Sequence, residues 1–467
     1  KKLYFLIFRY FFMPYFFIEA DIDFEKGVAY HYRKQCTPLL LINQHNTLMT
    51  RRKFMKKTLL LGTALLVAAS AYAGNNTGKA VAKLDNGESS NAVPTNVRAK
   101  VNESILIGNS ANAYAFQAAG TNQIYYDVAS GTLAVTKRRG SLDTAIPSGS
   151  GRIVNHLSTD AGATWSAGLE VNGTLAQVFG RHPNVAILPT GEMITQWAEL
   201  YPAGAAFQAM GMATNKLSDN SLLSAYLDVE IVAEIDDVAG NDTVGYNVPD
   251  EIFVDEKNGT FYFGGAADGA TNSIYLWKSS NKGASHQLVK LWKDGAYGGI
   301  SAGGNPSHGD FFGDYGTYIA SILPDSAYAV ANGLSYENYA PYVVRFKNGS
   351  IVEEGFVNVA AAFASAGIDS WTYEWDMVTD KDGNWHMFIQ AYLDGTEATN
   401  LGIYELYSKT PGLTDLGIKK VADMTLLSFT YGTDALQTLG DIHASRDAEG
   451  KYVFVKYLDW DPTDAPE

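Results

Sequence analysis

Cysteine is nearly absent: the only one in 467 residues is Cys36. A chain with a single thiol cannot rest on disulfides of its own, and it has no cysteine pair to hold a metal. Basic charge is also scarce, with 35 Lys and Arg against 50 Asp and Glu and a net of −15. Such an acidic surface repels phosphate backbones and anionic lipid, which argues against nucleic acid as a partner. A helical period is missing from about residue 101 onward, save for "VNVAAAFASAGI" near residue 360. The strongest apolar run, Thr58 to Ala69, is too short to span a bilayer.

That run belongs to a recognisable pattern, "MTRRKFMKKTLLLGTALLVAASAYAGNN". Arg51, Arg52, Lys53, Lys56 and Lys57 form a basic region ahead of it, and Ala71-Tyr72-Ala73 follows as a small-residue cleavage site. This is the layout of a bacterial-style secretory signal over 49–73, starting at Met49 or Met55. Residues 1–48 then read as an upstream translation artefact, and the Asn/Ser/Gly-rich residues 74–100 as a flexible leader. The expected product is exported (extracellular, cell-surface or periplasmic), with no membrane span in the mature chain. Removing the eleven basic and four acidic residues of 1–73 leaves 24 basic and 46 acidic, a net of −22.

Over residues 101–467 a strand, a tight polar turn and an aromatic-rich strand recur. The copies are "QIYYDVASGTLAVT", "NVAILPTGEMITQW", "EIFVDEKNGTFYFGG", "YIASILPDSAYAVA", "WDMVTDKDGNWHMFIQAY" and "DIHASRDAEGKYVFVKY". Their turns fall near Ser130, Thr190, Lys257, Asp325, Lys381 and Ala448, roughly sixty-odd residues apart. A second marker keeps the same beat. "STDAGATW" (158–165) has relatives in "WKSSNKGASH" (277–286) and "YSKTPGLTD" (407–415), each after an alternating strand. Each repeat therefore holds three strands with room for a fourth. Four-stranded units about an axis predict an all-β fold, a six-bladed β-propeller whose last blade is left a strand short even if residues 101–120 add a closing outer strand.

The spacing of Ser158, Asp160, Gly162, Thr164 and Trp165 suits a turn that bonds to itself: short polar side chains to the backbone, Gly for positive φ, and an indole as cover. The stretch resembles the Asp-box, Ser-x-Asp-x-Gly-x-Thr-Trp, of sialidase-like (BNR-repeat) propellers. The resemblance covers residues 101–467 in architecture, with one full copy and two that have lost the Asp and Trp. It implies a box on the turn between the third and fourth strands of a blade, away from the active site. It identifies a fold and not a chemistry.

In a propeller, residues leading into the innermost strands face the axial funnel. Here "FGRHPN", "YNVPDE", "NPSHGDFFGDYGT", "SWTYEWD" and "LGDIHA" collect Arg181, His182, Asp250, Glu251, His308, Asp310, Asp314, Tyr373, Glu374, Trp375, Asp376, Asp441 and His443. His308 and Asp310 are expected in a long Gly-rich loop, 296–316. Singly, each of these residues has a simpler account as a turn residue bonded to local backbone. As a group they suggest a polar funnel that binds a ligand. The resemblance to sialidases implies an arginine triad, a Tyr–Glu nucleophile and an Asp acid/base. Only Arg181 is placed for such a triad, Arg345 and Arg446 being expected on an outer strand and in a turn. Strand alternation sends Tyr373 and Glu374 to opposite faces, so sialidase activity is not expected.

The reading is thus an exported propeller that binds glycan or another surface partner, with aromatic side chains such as Trp375 and Tyr315 offered to sugar rings. Neither a cofactor nor a metal is expected, because the histidines lack His-x-His or His-x-x-x-His spacing. The alternatives are a glycoside hydrolase using two of Asp250, Asp310, Glu374, Asp376 and Asp441, and a cell-surface scaffold without a small ligand. The processing pattern predicts a mature terminus at Gly74. N-terminal sequencing of exported material checks it, and peptides from 1–48 there would refute it.

Overall fold

Short alternating runs set off by Gly, Asp and Asn turns lead to antiparallel strands joined by hairpins. A computed structural model of the chain describes residues 105–457 apart from 111–120, 129, 176–177, 202–206, 229–245, 269–272, 294–297, 300–306, 325, 335–338, 394–400, 425–428, 432–433 and 437–441, together with the backbone of 2–6 and 17–21. The chain divides into two units between residues 101 and 102. In the first, Lys2–Leu6 pairs with Phe17–Asp21 as a hairpin. The expected signal segment and leader lie outside the described residues.

The second unit is a succession of antiparallel sheets whose strands pair in chain order. The first holds Ile124–Asp127, Thr132–Arg138, Ile153–Ser158 and Leu169–Glu170. The second holds Arg181–Ile187, Glu192–Glu199, Ala209–Lys216 and Leu222–Asp228. Tyr246–Asp255, Thr260–Asp268, Ser273–Ser279 and Gln287–Lys293 make the third. The fourth comprises Ser307–Phe312, Tyr315–Pro324, Ala340–Lys347 and Ser350–Phe356, with Gly298–Gly299 added beside Tyr315–Pro324. The fifth comprises Ser370–Thr379, Trp385–Tyr392, Leu401–Ser408 and Leu416–Met424. After a separate pairing of Phe429–Tyr431 with Asp434–Leu436, a sixth sheet in the stack contributes His443–Arg446 and Val453–Lys456.

Each sheet packs its face on the next. Ala134 and Leu157 meet Val185 and Ile187; Met210 and Met212 meet Phe261 and Phe263. Tyr262 and Leu276 meet Tyr318 and Val344; Ile319 and Val343 meet Trp375 and Met387; Phe388 and Ile403 meet Ile442. The first strands of successive sheets are neighbours, whereas fourth strands such as Ser350–Phe356 are largely exposed. Sheets stacked face to face with their first strands inward form a β-propeller.

Two details differ from the sequence reading, and a third falls mostly outside the described residues. Ser307–Phe312 is the innermost strand of the fourth sheet, not part of a loop, and its hairpin turns at Gly313 and Asp314 rather than near Asp325. The segment after it, Ser326–Asn332, is a helix, a second one besides Ala360–Ala366. Its Ala-rich pattern alternates no better than it winds, so period alone could not decide. Residues 105–110 carry no strand, and 111–120 lie outside the described residues.

The turn 158–165 joins the third and fourth strands of the first sheet. Ser158 Oγ donates to Asp160 Oδ1 (2.8 Å) and accepts from Gly162 N–H (2.8 Å). Asp160 accepts from the N–H (2.8 Å) and hydroxyl (2.6 Å) of Thr164, and Trp165 Nε1 donates to the Gly162 carbonyl (3.2 Å). Gly162 has φ +92°, and the Thr164 bonds hold the Asp160 carboxyl down at about 2. In the third sheet Asn281 replaces the Asp and keeps the net, accepting from Ser285 N–H (2.9 Å) while Ser279 Oγ accepts from Gly283 N–H (2.9 Å). In the fifth, the indole of Trp385 supplies the missing ring by donating to the Gly412 carbonyl (3.0 Å).

The fifth sheet also carries a titratable brace. His386 Nδ1 lies 2.7 Å from Glu405 and Nε2 3.4 Å from Asp380, Tyr407 stacks on the ring, and Lys419 pairs with the other Glu405 oxygen at 2.5 Å. Burial opposes the imidazolium, but the two carboxylates outweigh it and raise its pKa above 6.5. A raised folded-state value stabilises fully below the unfolded pKa and is lost as pH rises through the folded one. Melting temperature should therefore fall more for the wild type than for His386→Gln between pH 6 and pH 9. Parallel melting curves would refute the brace.

Candidate functional site

An innermost strand pairs with its own sheet on one edge only, so its other N–H groups need partners at the axis. Short acidic and amide side chains supply them. Asn184 Oδ1 accepts from Asn122 N–H (2.6 Å), and its Nδ2 donates to the Pro249 carbonyl (3.3 Å). Asp250 accepts from the N–H (3.0 Å) and hydroxyl (2.6 Å) of Ser307. Asp310 accepts from Thr379 N–H (2.7 Å), and Asp376 Oδ2 from Ala444 N–H (2.7 Å). Each bond crosses from one sheet to a neighbour, so three of the expected ligand-binding carboxylates hold the inner strands together.

Glu251, His308 and Asp376 converge where the third, fourth and fifth sheets meet. His308 Nδ1 lies 3.3 Å from Glu251 Oε2 and 3.2 Å from Asp376 Oδ1. Asn122 Nδ2 donates to Glu251 Oε1 (3.0 Å), bringing the first sheet to the group. The sixth adds Arg446, which pairs with Asp310 and donates to the Phe311 carbonyl (2.6 Å). His308 is 6 % exposed, while the Glu251 and Asp376 side chains keep 18 % and 13 % of their surface. Burial drives the electrostatics. It raises Glu251 and Asp250 to about 7 and Asp376 to about 6, against bonds from Asn122 and Ser307 and the charge of His308. It lowers His308, which the nearby Asp376 and Asp250 pull back upward.

The remaining expected residues fall into distinct places. Trp375 is 1 % exposed and packs edge-on against His308, ring centroids 4.6 Å apart, so it offers no face to a sugar. Arg181 lies over the Phe207 ring (4.0 Å), beside a backbone irregularity at His182. His182 takes φ +51° and is buried; burial, then the charges of Arg181 and Arg138, lower it to about 4. His443 stands on the sixth inner strand with an exposed side chain, close enough in charge to influence Glu251. Asp314 sits at a hairpin tip paired with Lys257. The Tyr373 and Glu374 side chains and all of Asp441 lie outside the described residues. Arg446 is the main residue the sequence misplaced, since "SRDAEG" reads as a turn one residue too early.

No family model and no curated relative matches the chain. Among the solved structures to which it is similar, at low identity, are an arabinanase, a lyase and a sialidase. A Penicillium chrysogenum alpha-L-arabinanase is 13 % identical with TM-score 0.35, covering 59 % of this chain and 74 % of that one. An ulvan lyase of family PL25 is 12 % identical with TM-score 0.37, over 65 % and 71 %. A Trypanosoma rangeli sialidase is 8 % identical with TM-score 0.42, over 73 % of this chain and 52 % of that one.

The stapling role makes its own prediction. Asp250→Ala leaves the buried Ser307 N–H without an acceptor and should cost about 1–3 kcal/mol of stability. Denaturant unfolding measures this, and an unchanged midpoint would refute the staple.

Proposed function

We propose that this chain is an exported six-bladed propeller that binds a carbohydrate at its axis. The observation that supports the reading is the convergence of Glu251, His308 and Asp376 from three sheets, with Asn122 and Arg446 from two more. The partly exposed Glu251 and Asp376 carboxylates provide acceptors for sugar hydroxyls, and Arg446, paired with Asp310, provides a donor on the inner strands. The buried Trp375 supplies rigidity rather than stacking, and Lys347 lies over the half-buried Tyr315 ring, so recognition at this group rests on hydrogen bonds. The three similar structures are named for arabinan, ulvan and sialoside chemistry, but the proposal rests on the chain's own residues.

One observation favours hydrolysis as a second reading. Glu251 and Asp376 each offer an oxygen within 4.8 Å of the other. A retaining pair needs a carboxyl separation of about 5–5.5 Å. A glycan array run beside a panel of chromogenic glycosides separates the two: binding without turnover supports the first, and turnover the second. Glu251→Gln and His443→Ala should each weaken glycan binding at least tenfold with an unchanged melting temperature. Variants that bind like the wild type, or a wild type that binds no glycan, would overturn the proposal.

A further inference from the structure

The group at the axis has more acceptors than protons to share. His308 Nδ1 faces Glu251 Oε2 at 3.3 Å and Asp376 Oδ1 at 3.2 Å, and a single N–H cannot serve both fully. The other ring nitrogen, Nε2, is buried with no hydrogen-bond partner among the described residues.

The spacing fits coordination. A tetrahedral ion with bonds of about 2.0 Å to nitrogen and oxygen holds its ligand atoms about 3.3 Å apart. The two distances from Nδ1 match that edge, and all three ligand atoms lie within 4.8 Å of one another. Each carboxylate is also oriented from behind. Asn122 Nδ2 holds Glu251 Oε1 (3.0 Å) and leaves Oε2 toward the centre. Ala444 N–H holds Asp376 Oδ2 (2.7 Å), and Met377 N–H bonds to Oδ1 from the side (2.7 Å). Such outer bonds fix the geometry of metal ligands.

We propose that Glu251, His308 and Asp376 form a binding site for a divalent transition-metal ion of the Zn2+ type. One nitrogen and two carboxylate oxygens suit a borderline ion. Three protein ligands leave a fourth position open for water or for a ligand hydroxyl. Bound there, the ion offsets the repulsion of two carboxylates in a buried setting. It also removes Glu251 and Asp376 from a two-carboxylate scheme of hydrolysis. The inference does not depend on the carbohydrate reading, and its test uses no sugar.

Chelator-treated full-length protein is titrated with ZnCl2, with MnCl2 and CaCl2 as comparators, by calorimetry and tryptophan fluorescence. The expected result is one Zn2+ per chain and a fluorescence change, because the Trp375 ring lies 4.6 Å from His308. Glu251→Gln should weaken binding at least tenfold, as should Asn122→Ala through lost orientation of Glu251. Asp376→Asn also disturbs a staple to Ala444, so Glu251→Gln decides the matter if that variant does not fold. No Zn2+ uptake by the wild type, or uptake that Glu251→Gln leaves unchanged, overturns the proposal.

Discussion

The unpaired inner edge of each first strand is the constraint on which the rest of this propeller depends. A sheet facing solvent can leave an edge to water, but such edges crowded together at an axis cannot. The chain answers with side chains in place of a further strand at each inner edge. Asn184, Asp250, Asp310 and Asp376 each reach across to a backbone N–H of another sheet. A carboxylate suits this task because a charged acceptor makes a stronger bond to N–H than a neutral one. The apolar contacts between sheet faces then fix the stacking around a centre that is already tied.

Tying the centre with carboxylates has an electrostatic consequence. Asp250, Glu251, Asp310 and Asp376 all gather there, and burial raises every one of them. Arg446 offsets Asp310, but no comparable cation is paired with the Glu251–Asp376 group among the described contacts. The polar character of the axis is therefore first a structural necessity. What is left for recognition is the set of atoms not consumed by stapling, chiefly Glu251 Oε2, Asp376 Oδ1 and the His308 ring.

Much of the periphery was legible in sequence because its signals are local. The Ser-x-Asp-x-Gly-x-Thr-Trp spacing specifies one turn within eight residues, and its degenerate copies lie at the same point of their sheets. The axis is read less well because its contacts join residues far apart in sequence. Glu251, His308 and Asp376 could be gathered from their places before inner strands, but not the pairing of Arg446 with Asp310. The strand itself is irregular where the aromatics cluster: the register shifts between Trp371 and Trp375, and the ring expected to stack on sugar is buried. In the fourth sheet the true hairpin, "DFFGDYGT", was passed over for "LPDSAY", because both carry a turn signal between apolar runs.

The contrast between rim and axis follows from how each satisfies its backbone. At the rim the same turn is built three ways: by Asp160 with Trp165, by Asn281 with Ser285, and by Trp385 donating from a neighbouring strand. Several side chains can do that work because water reaches the turn and supplies whatever is missing. At the axis the stapled N–H groups are buried or half-buried, so each must find one acceptor of fixed length and direction. Replacing Asp376 by Glu would move the oxygen by a methylene and disturb two sheets at once. A site built on such residues inherits their rigidity, and its ligand must fit the geometry that the inner strands already demand.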